Sequence, residues 1–259
     1  MLLHDITPII LTANCEHNIA ACLSDLDFAA RIVVIDSGSS DATLAICGAN
    51  PRVEVIHRTF DHHAAQRSFG LAQVQSGWAI CLDSDYRMSQ ALRDELAALP
   101  SDDANVGYMI DYAYCIFGKP LRASLMPARL MLARAGRLSV VSDGHAERFS
   151  VDGPVGQLKA KMQHDDRKPL ERWVSRQVFY ARMEAKKLCN PNAKLRWQDR
   201  LRARASVAPF FVFGYLLIGR GLWRDGWNGW YYTVERTIAE FVLLLCVRRR
   251  WLLPSADLS

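Results

Sequence analysis

The first hundred residues alternate short apolar runs with amphipathic stretches. Ile6 to Leu11 carries no charge and predicts a buried strand. Thr12-Ala13-Asn14 interrupts it, and Asn18 to Leu26 follows with Ile19, Cys22, Leu23 and Leu26 at helical spacing. Arg31 to Ile35 is a β-branched run ending at Asp36, a second strand. Ser37-Gly38-Ser39-Ser40 reads as a loop, and a helix is expected from Asp41 to Ile46, with Asp41 placed to cap it. Val53 to His57 predicts a third strand and Ala64 to Gln75 a helix. Trp78 to Leu82 predicts a fourth strand ending at Asp83, and Met88 to Leu99 a helix closed by Pro100. Strands and helices in this alternation form βαβ units and a parallel sheet. Such sheets bind ligands at the carboxyl ends of their strands, so Asp36 and Asp83 are expected on one edge, the binding edge.

Beyond residue 100 the pattern loosens. Residues 106–142 mix Gly, Pro and aromatic positions without clear periodicity, and Leu170 to Leu188 predicts a charged helix. Val207 to Gly219 is an uncharged apolar stretch of 13 residues; Trp223, Trp227, Trp230, Tyr231 and Tyr232 follow. Ile238 to Val247 is apolar apart from Glu240, and Arg248-Arg249-Arg250 closes it. A span needs about 20 apolar residues, so two interfacial helices or a re-entrant hairpin fit better than two full crossings. A buried helical pair is the alternative.

Charge sharpens this division. Residues 1–150 hold 12 Lys/Arg and 17 Asp/Glu, a balance of −5; residues 151–259 hold 20 and 10, a balance of +10. A basic, aromatic-rich C-terminal part suits an anionic surface. Half of the 259 residues are apolar, which argues for a packed core and against disorder. The seven cysteines form no CxxC pair, and free buried thiols are expected. No secretory signal is legible at the N-terminus, so the catalytic part is expected to face the cytoplasm.

The strongest local chemical signal is Leu82-Asp83-Ser84-Asp85. Two aspartates at i, i+2 beyond a strand can both reach one hard cation, Mg²⁺ or Mn²⁺, which would hold a diphosphate. Asp36, followed by Gly38 and Ser39, offers a carboxylate and a tight turn for a ribose or a base edge. No G-x-G-x-x-G follows the first strand, which weighs against hydride transfer. His62 and His63, being adjacent, point apart and do not make a metal pair.

Ile10-Leu11-Thr12-Ala13-Asn14, Val33 to Thr43, Ala65-Gln66-Arg67 and Leu82 to Asp85 stand in an order and spacing that resemble family 2 glycosyltransferases. Within that group the chain is similar to the lipopolysaccharide-core β-glucosyltransferase branch, over about residues 5–100 and less closely to about 188. The resemblance implies an α/β, Rossmann-like GT-A fold over residues 1–190, with a helical, membrane-associating extension over 191–259. It implies a nucleotide-sugar donor, a UDP-sugar ahead of a GDP-sugar, a divalent cation (Mg²⁺ or Mn²⁺), and inversion at the anomeric carbon. Donor contacts would come from Thr12, Asn14, Asp36, Gly38, Ser39, Arg67, Asp83 and Ser84, with Thr12 and Asp36 at the nucleoside and Arg67 near the phosphates. Asp83, Asp85 and His164 would hold the metal. Relatives usually carry Glu directly after the Asn of the first loop; here Cys15 follows Asn14 and the acid comes at Glu16.

An inverting transfer needs a general base. Glu147 falls where the resembling branch places one, with Asp143 second, although Ala146 here separates His145 from Glu147. Asp165 and Asp166 are expected to cap the helix that begins near Pro169. Arg167 and Lys168 read as solvated charge. The partners implied are the donor, a glycan or lipid-linked acceptor, and a membrane surface, at the cytoplasmic face of a bacterial inner membrane in a peripheral or monotopic arrangement. No nucleic-acid motif is present. Two other readings stay open: a nucleotidyltransferase, and a non-catalytic membrane-surface binding protein on a nucleotide-binding fold.

Overall fold

The structure, a computed structural model, describes residues 3–100, 102–143, 146–167, 169–190, 199, 202 and 207–252, with positions 143 and 146 described by backbone alone. Two compact units are present: Met1–Pro120 with Leu125–Arg167, and Leu121–Ser124 with Lys168–Ser259.

The first unit is built on the four expected strands, β1 (Ile6–Thr12), β2 (Ile32–Asp36), β3 (Val53–His57) and β4 (Trp78–Asp83). They pair in parallel in the order β4-β1-β2-β3. Their apolar residues alternate between faces, and both faces are covered, so the runs read as continuously hydrophobic. Ile6, Ile10, Ile32, Val34, Ile80 and Leu82 face one core, with Ile19, Cys22 and Leu23 of α1 (Glu16–Ser24), Cys47 of α2 (Thr43–Gly48) and Leu92 and Leu96 of α4 (Gln90–Ala98). Ile9, Val33, Ile35, Ala79 and Cys81 face the other, where Phe69 and Leu71 of α3 (His63–Ala72) pack. Each fully buried Ile or Leu contributes about 1.5–3 kcal/mol. Gly70 lets α3 sit close: a Cβ there would lie 2.5 Å from Ile9 Cγ2.

The stretch without clear periodicity is strand-rich. β5 (Tyr86–Met88) takes the residue where a helix was expected to start. Then come β6 (Gly107–Ile110), β7 (Tyr112–Ile116), β8 (Lys119–Pro120), β9 (Arg129–Arg134), β10 (Leu138–Asp143), β11 (Ala146–Val151), β12 (Val155–Gln157) and β13 (Met162–His164). β9 joins β4 antiparallel and extends the sheet through β6 to β12. β5, β13, β7 and β8 form a second sheet, and β10 and β11 a hairpin. These strands are short and carry their apolar residues on whichever face the two sheets cover, which is why no single period shows in the sequence.

In the second unit, α5 (Leu170–Leu188) buries Ala181, Ala185 and Leu188 against Leu243 and Val247 of the last helix. The first apolar stretch becomes α6 (Ala208–Gly214) and a π-helical turn, Tyr215–Gly219. The second is not a helix of its own but the later half of α7 (Gly226–Leu252). No helix of the described residues is long and apolar enough to cross a membrane.

Candidate active site

Parallel pairing sets Thr12 opposite Asp36 and Leu11 opposite Asp83, so both aspartates stand at the carboxyl edge. Asp36 is fully buried there. Its Oδ1 accepts from Thr12 Oγ1 at 2.9 Å and Ser39 Oγ at 2.6 Å; its Oδ2 accepts from the amides of Gly38 and Ser39, both at 2.9 Å. Burial pushes its carboxyl up, but the bonds from Ser39, Thr12 and Gly38 outweigh burial and hold it below the usual carboxylate value. Asp36 thus spends its lone pairs on the loop it organises.

Asn14, at φ 51°, ties the first loop to this one: its Oδ1 accepts from the Ser40 amide at 2.8 Å and its own amide donates to Ser39 Oγ at 3.0 Å. Asparagine tolerates this left-handed conformation better than most residues. Glu16, the acid displaced by one position, accepts from the Ala42 amide at 2.9 Å, while Asp41 accepts from the amides of Glu16 and Thr43. Ala42, not Asp41, stands at the N-cap of α2, and Asp41 braces the helix start from one residue earlier through the Thr43 amide; Glu16 is committed to the same brace. Cys15 is half-buried against Thr43 and Ser84; burial pushes its thiol up.

A charged knot lies next to this loop pair. Arg67 of α3 is buried; its Nε donates to both carboxylate oxygens of Glu147, at 2.9 and 3.0 Å, and its Nη2 to Asp83 Oδ1 at 2.7 Å. Arg129 Nη1 is 3.8 Å from Glu147 Oε2, and Phe149 lies under both guanidiniums, each 5.8 Å from the ring centre. Burial disfavours the Arg67 charge, but the Asp83 and Glu147 carboxylates more than offset it. Burial likewise raises Asp83, and Arg67, with help from the Tyr86 hydroxyl, pulls its carboxyl well below the usual range.

The two aspartates of the Asp-Ser-Asp motif part company. Asp83 goes to Arg67, whereas Asp85 turns to His164, Oδ2 to Nε2 at 3.4 Å. Ligand atoms of Asp85, His164 and Asp166 all lie within 4.8 Å of one another, and Asp83 is not in that group. The sheet explains this: β13 pairs antiparallel with β5, setting His164 opposite Tyr86, and the Asp165 amide donates to the Asp85 carbonyl at 2.9 Å. His164 and Asp166, two apart at the end of an extended segment, then share a side. Tyr86 and Tyr114 flank the imidazole at 5.4 and 5.1 Å. Burial lowers its pKa, but Asp85 and Asp166 outweigh that and raise it.

Two carboxylates and one imidazole form a hard donor set that fits Mg²⁺ or Mn²⁺. The buried Nδ1 of His164 has no hydrogen-bond partner among the described residues, as a ring nitrogen kept for a metal would. Asp166 was not expected here. α5 starts at Pro169 without any side-chain cap, so neither Asp165 nor Asp166 caps it, and Asp165 instead accepts from Arg167 at 2.8 Å. The His-x-Asp spacing was the available signal.

The remaining expected residues fall as follows. Gly38 turns the loop at φ 90°. Thr12 is buried under Asp36. His62 caps α3, its Nδ1 accepting from the Ala65 amide at 3.2 Å. Asp143 lies across the β10–β11 hairpin from Ala146, next to the Ser142–Glu147 pair. His145 and Lys168 lie outside the described residues. All seven cysteines carry free thiols.

Comparisons with known proteins identify the family and the fold. The chain is 25% identical to the lipopolysaccharide core biosynthesis glycosyltransferase LpsC of Rhizobium meliloti, over 96% of this chain and 94% of that protein. It is 22% identical to an uncharacterized glycosyltransferase of Rickettsia typhi, over 94% of this chain and 86% of that protein. The crystal structure of S. aureus TarS in complex with UDP superposes with a TM-score of 0.50 at 13% identity, covering 95% of this chain and 91% of that one, a likeness of fold. The sequence model of glycosyl transferase family 2 matches residues 7–146, more than half of the chain. That match sets aside both the nucleotidyltransferase and the non-catalytic reading: this chain belongs to glycosyl transferase family 2 and is a glycosyltransferase.

Proposed function

We propose that the enzyme is an inverting, metal-dependent glycosyltransferase that moves a sugar from a UDP-sugar to a lipid-linked or cell-envelope glycan of the lipopolysaccharide type. The observation that carries this reading is the Asp85–His164–Asp166 group beside the Arg67–Asp83 pair, at the carboxyl edge of a parallel sheet. A divalent cation bound there would offset charge on the departing diphosphate.

The loops ordered by Asp36 and Asn14 present the hydroxyls of Ser37 and Ser40 to the nucleoside, the amides of residues 37–40 being spent inside the loops. Glu147 takes the proton of the acceptor hydroxyl as that oxygen attacks the anomeric carbon, and the nucleoside diphosphate leaves. In the resting protein Glu147 is held by Arg67, so the guanidinium must shift its bonds as the base engages. Similarity to LpsC supports the acceptor class, and the UDP in the TarS complex supports the donor base. A lipid-linked acceptor would be met at the cytoplasmic face of an inner membrane, with residues 191–259 as the membrane-associating part.

Isothermal titration with UDP and GDP, in Mn²⁺ and in EDTA, tests the site. UDP is expected to bind only with the metal, and Asp85→Ala and Asp166→Ala are each expected to abolish that binding. UDP binding that is indifferent to EDTA would overturn the metal assignment.

A further inference from the structure

Helix α7 carries two apolar stripes, and among the described residues only one is covered. Gly229, Tyr232, Thr233, Leu243 and Val247 are buried. On the other side Trp227, Trp230, Val234, Ile238, Phe241 and Leu245 recur at steps of three and four residues, and all are exposed, Trp227 at 73% and Leu245 at 68%. The stripe runs for about 27 Å at helical rise. Phe210 meets Phe241 and Phe213 meets Trp230, each at 5.6 Å between ring centres, so α6 widens it. An apolar patch of this extent marks an interface.

Charge selects the occupant. Arg220 and Arg224 precede the stripe, and Arg248, Arg249 and Arg250 follow it. The carboxylates of the segment are turned inward: Asp225 binds Arg122 at 2.9 Å, Glu240 binds Arg202 at 2.6 Å, and Glu235 is buried. A second copy of the chain, in either orientation, would set arginines against arginines at both ends. An anionic headgroup layer would meet them with opposite charge.

We infer that the exposed face of α7, with α6 beside it, lies in the headgroup region of an anionic bilayer. The choice of a lipid partner rests on the proposed lipid-linked acceptor. α7 is not long and apolar enough to cross a membrane; in this arrangement it lies along the surface, with its tryptophans at headgroup level.

The test is co-sedimentation of the full chain with phosphatidylglycerol-containing vesicles and with phosphatidylcholine vesicles, at low and high salt. Two variants are compared: Trp227→Ser/Ile238→Ser/Leu245→Ser, and Arg248→Gln/Arg249→Gln/Arg250→Gln. The wild type is expected to bind the anionic vesicles and to release as salt rises. The first variant is expected to partition roughly tenfold less or weaker still, and the second to lose the salt dependence. UDP–Mn²⁺ titration of both variants should match the wild type, so failure of the donor site and failure of the anchor are read separately. Wild-type protein that ignores anionic vesicles, or a stripe variant that binds them equally, would sink the inference. So would a wild-type dimer, seen by light scattering, that the stripe variant converts to monomer.

Discussion

Three carboxylates beside the site are held by opposite means, and each arrangement makes a testable difference. Asp83 and Glu147 share one guanidinium, Arg67. Removing a cation from such a group leaves uncompensated buried charge, which costs about 3–5 kcal/mol. Asp83 is about one-third exposed, so Arg67→Met is expected at the lower end, about 3 kcal/mol, read from urea unfolding. Adding Asp83→Asn and Glu147→Gln should return part of that loss; if it does not, the knot is held by packing and not by charge. Asp36 relies on neutral donors instead. Its folded carboxyl lies below the usual value, so the unfolded state takes up protons first on acidification and stability rises with pH. Its contribution is therefore full above about pH 4 and is lost as pH falls through the lower folded value. Asp36→Asn should cost about 2 kcal/mol at neutral pH, and the gap to wild type should close in acid. A gap that stays constant from pH 7 to pH 3 would show that the carboxylate charge is not what orders the loop.

Several glycines of this protein sit where elements approach closely, and at two of them inside helices, Gly70 and Gly229, the obstacle differs in kind. A Cβ at Gly70 of α3 would meet side-chain atoms, Ile9 Cγ2 at 2.5 Å and Ile35 Cγ1 at 3.3 Å; a Cβ at Gly229 of α7 would meet the Leu222 carbonyl oxygen at 1.9 Å. Side chains can repack and backbone cannot. Gly70→Ala should cost about 1–3 kcal/mol despite the better helix propensity of Ala, and Gly229→Ala should be the worse of the two by thermal midpoint. Equal midpoints would mean that α7 can slide along the Leu222 turn. Neither glycine announced itself in the sequence: Gly70 sits inside a helical pattern where Gly is only tolerated, and Gly229 lies among tryptophans and tyrosines for which no helix was predicted.

Strands β1, β2 and β4 were legible because burial on both faces leaves nearly uninterrupted apolar residues, and the half-buried edge strand β3 through its β-branched Val53, Val55 and Ile56. Strands β6 to β13 were not, since β6, β8, β12 and β13 run for only two to four residues and the rest are defined by their partners. The same holds at the site. The Asp-Ser-Asp motif was visible, but its split was not, because it follows from β5 pairing with β13. Asp166 was read as a helix cap for want of that pairing. The packing border at Arg167 and a domain limit of 190 differ for a related reason: charge marks α5 as surface, while its buried Ala181, Ala185 and Leu188 tie it to α7.

Across the whole molecule, two compact units each carry their own core, and only the first holds the Asp85–His164–Asp166 group. Two cores permit two unfolding transitions, so one melting temperature need not describe the chain. A ligand that binds only the folded site stabilises the unit that contains it, by about 2.7 kcal/mol at a hundredfold excess over Kd. For a unit of this size that is a rise of roughly 5–10 °C. Calorimetry with UDP and Mn²⁺ should therefore move the transition of the first unit alone, and EDTA or Asp85→Ala should cancel the shift. Gly229→Ala should move the other transition and leave the nucleotide effect intact. If UDP and Mn²⁺ raised both transitions together, the units would be unfolding as one cooperative body. If the rise survived EDTA, the nucleotide would be held without the Asp85 group, and the metal would have to be removed from the proposed chemistry.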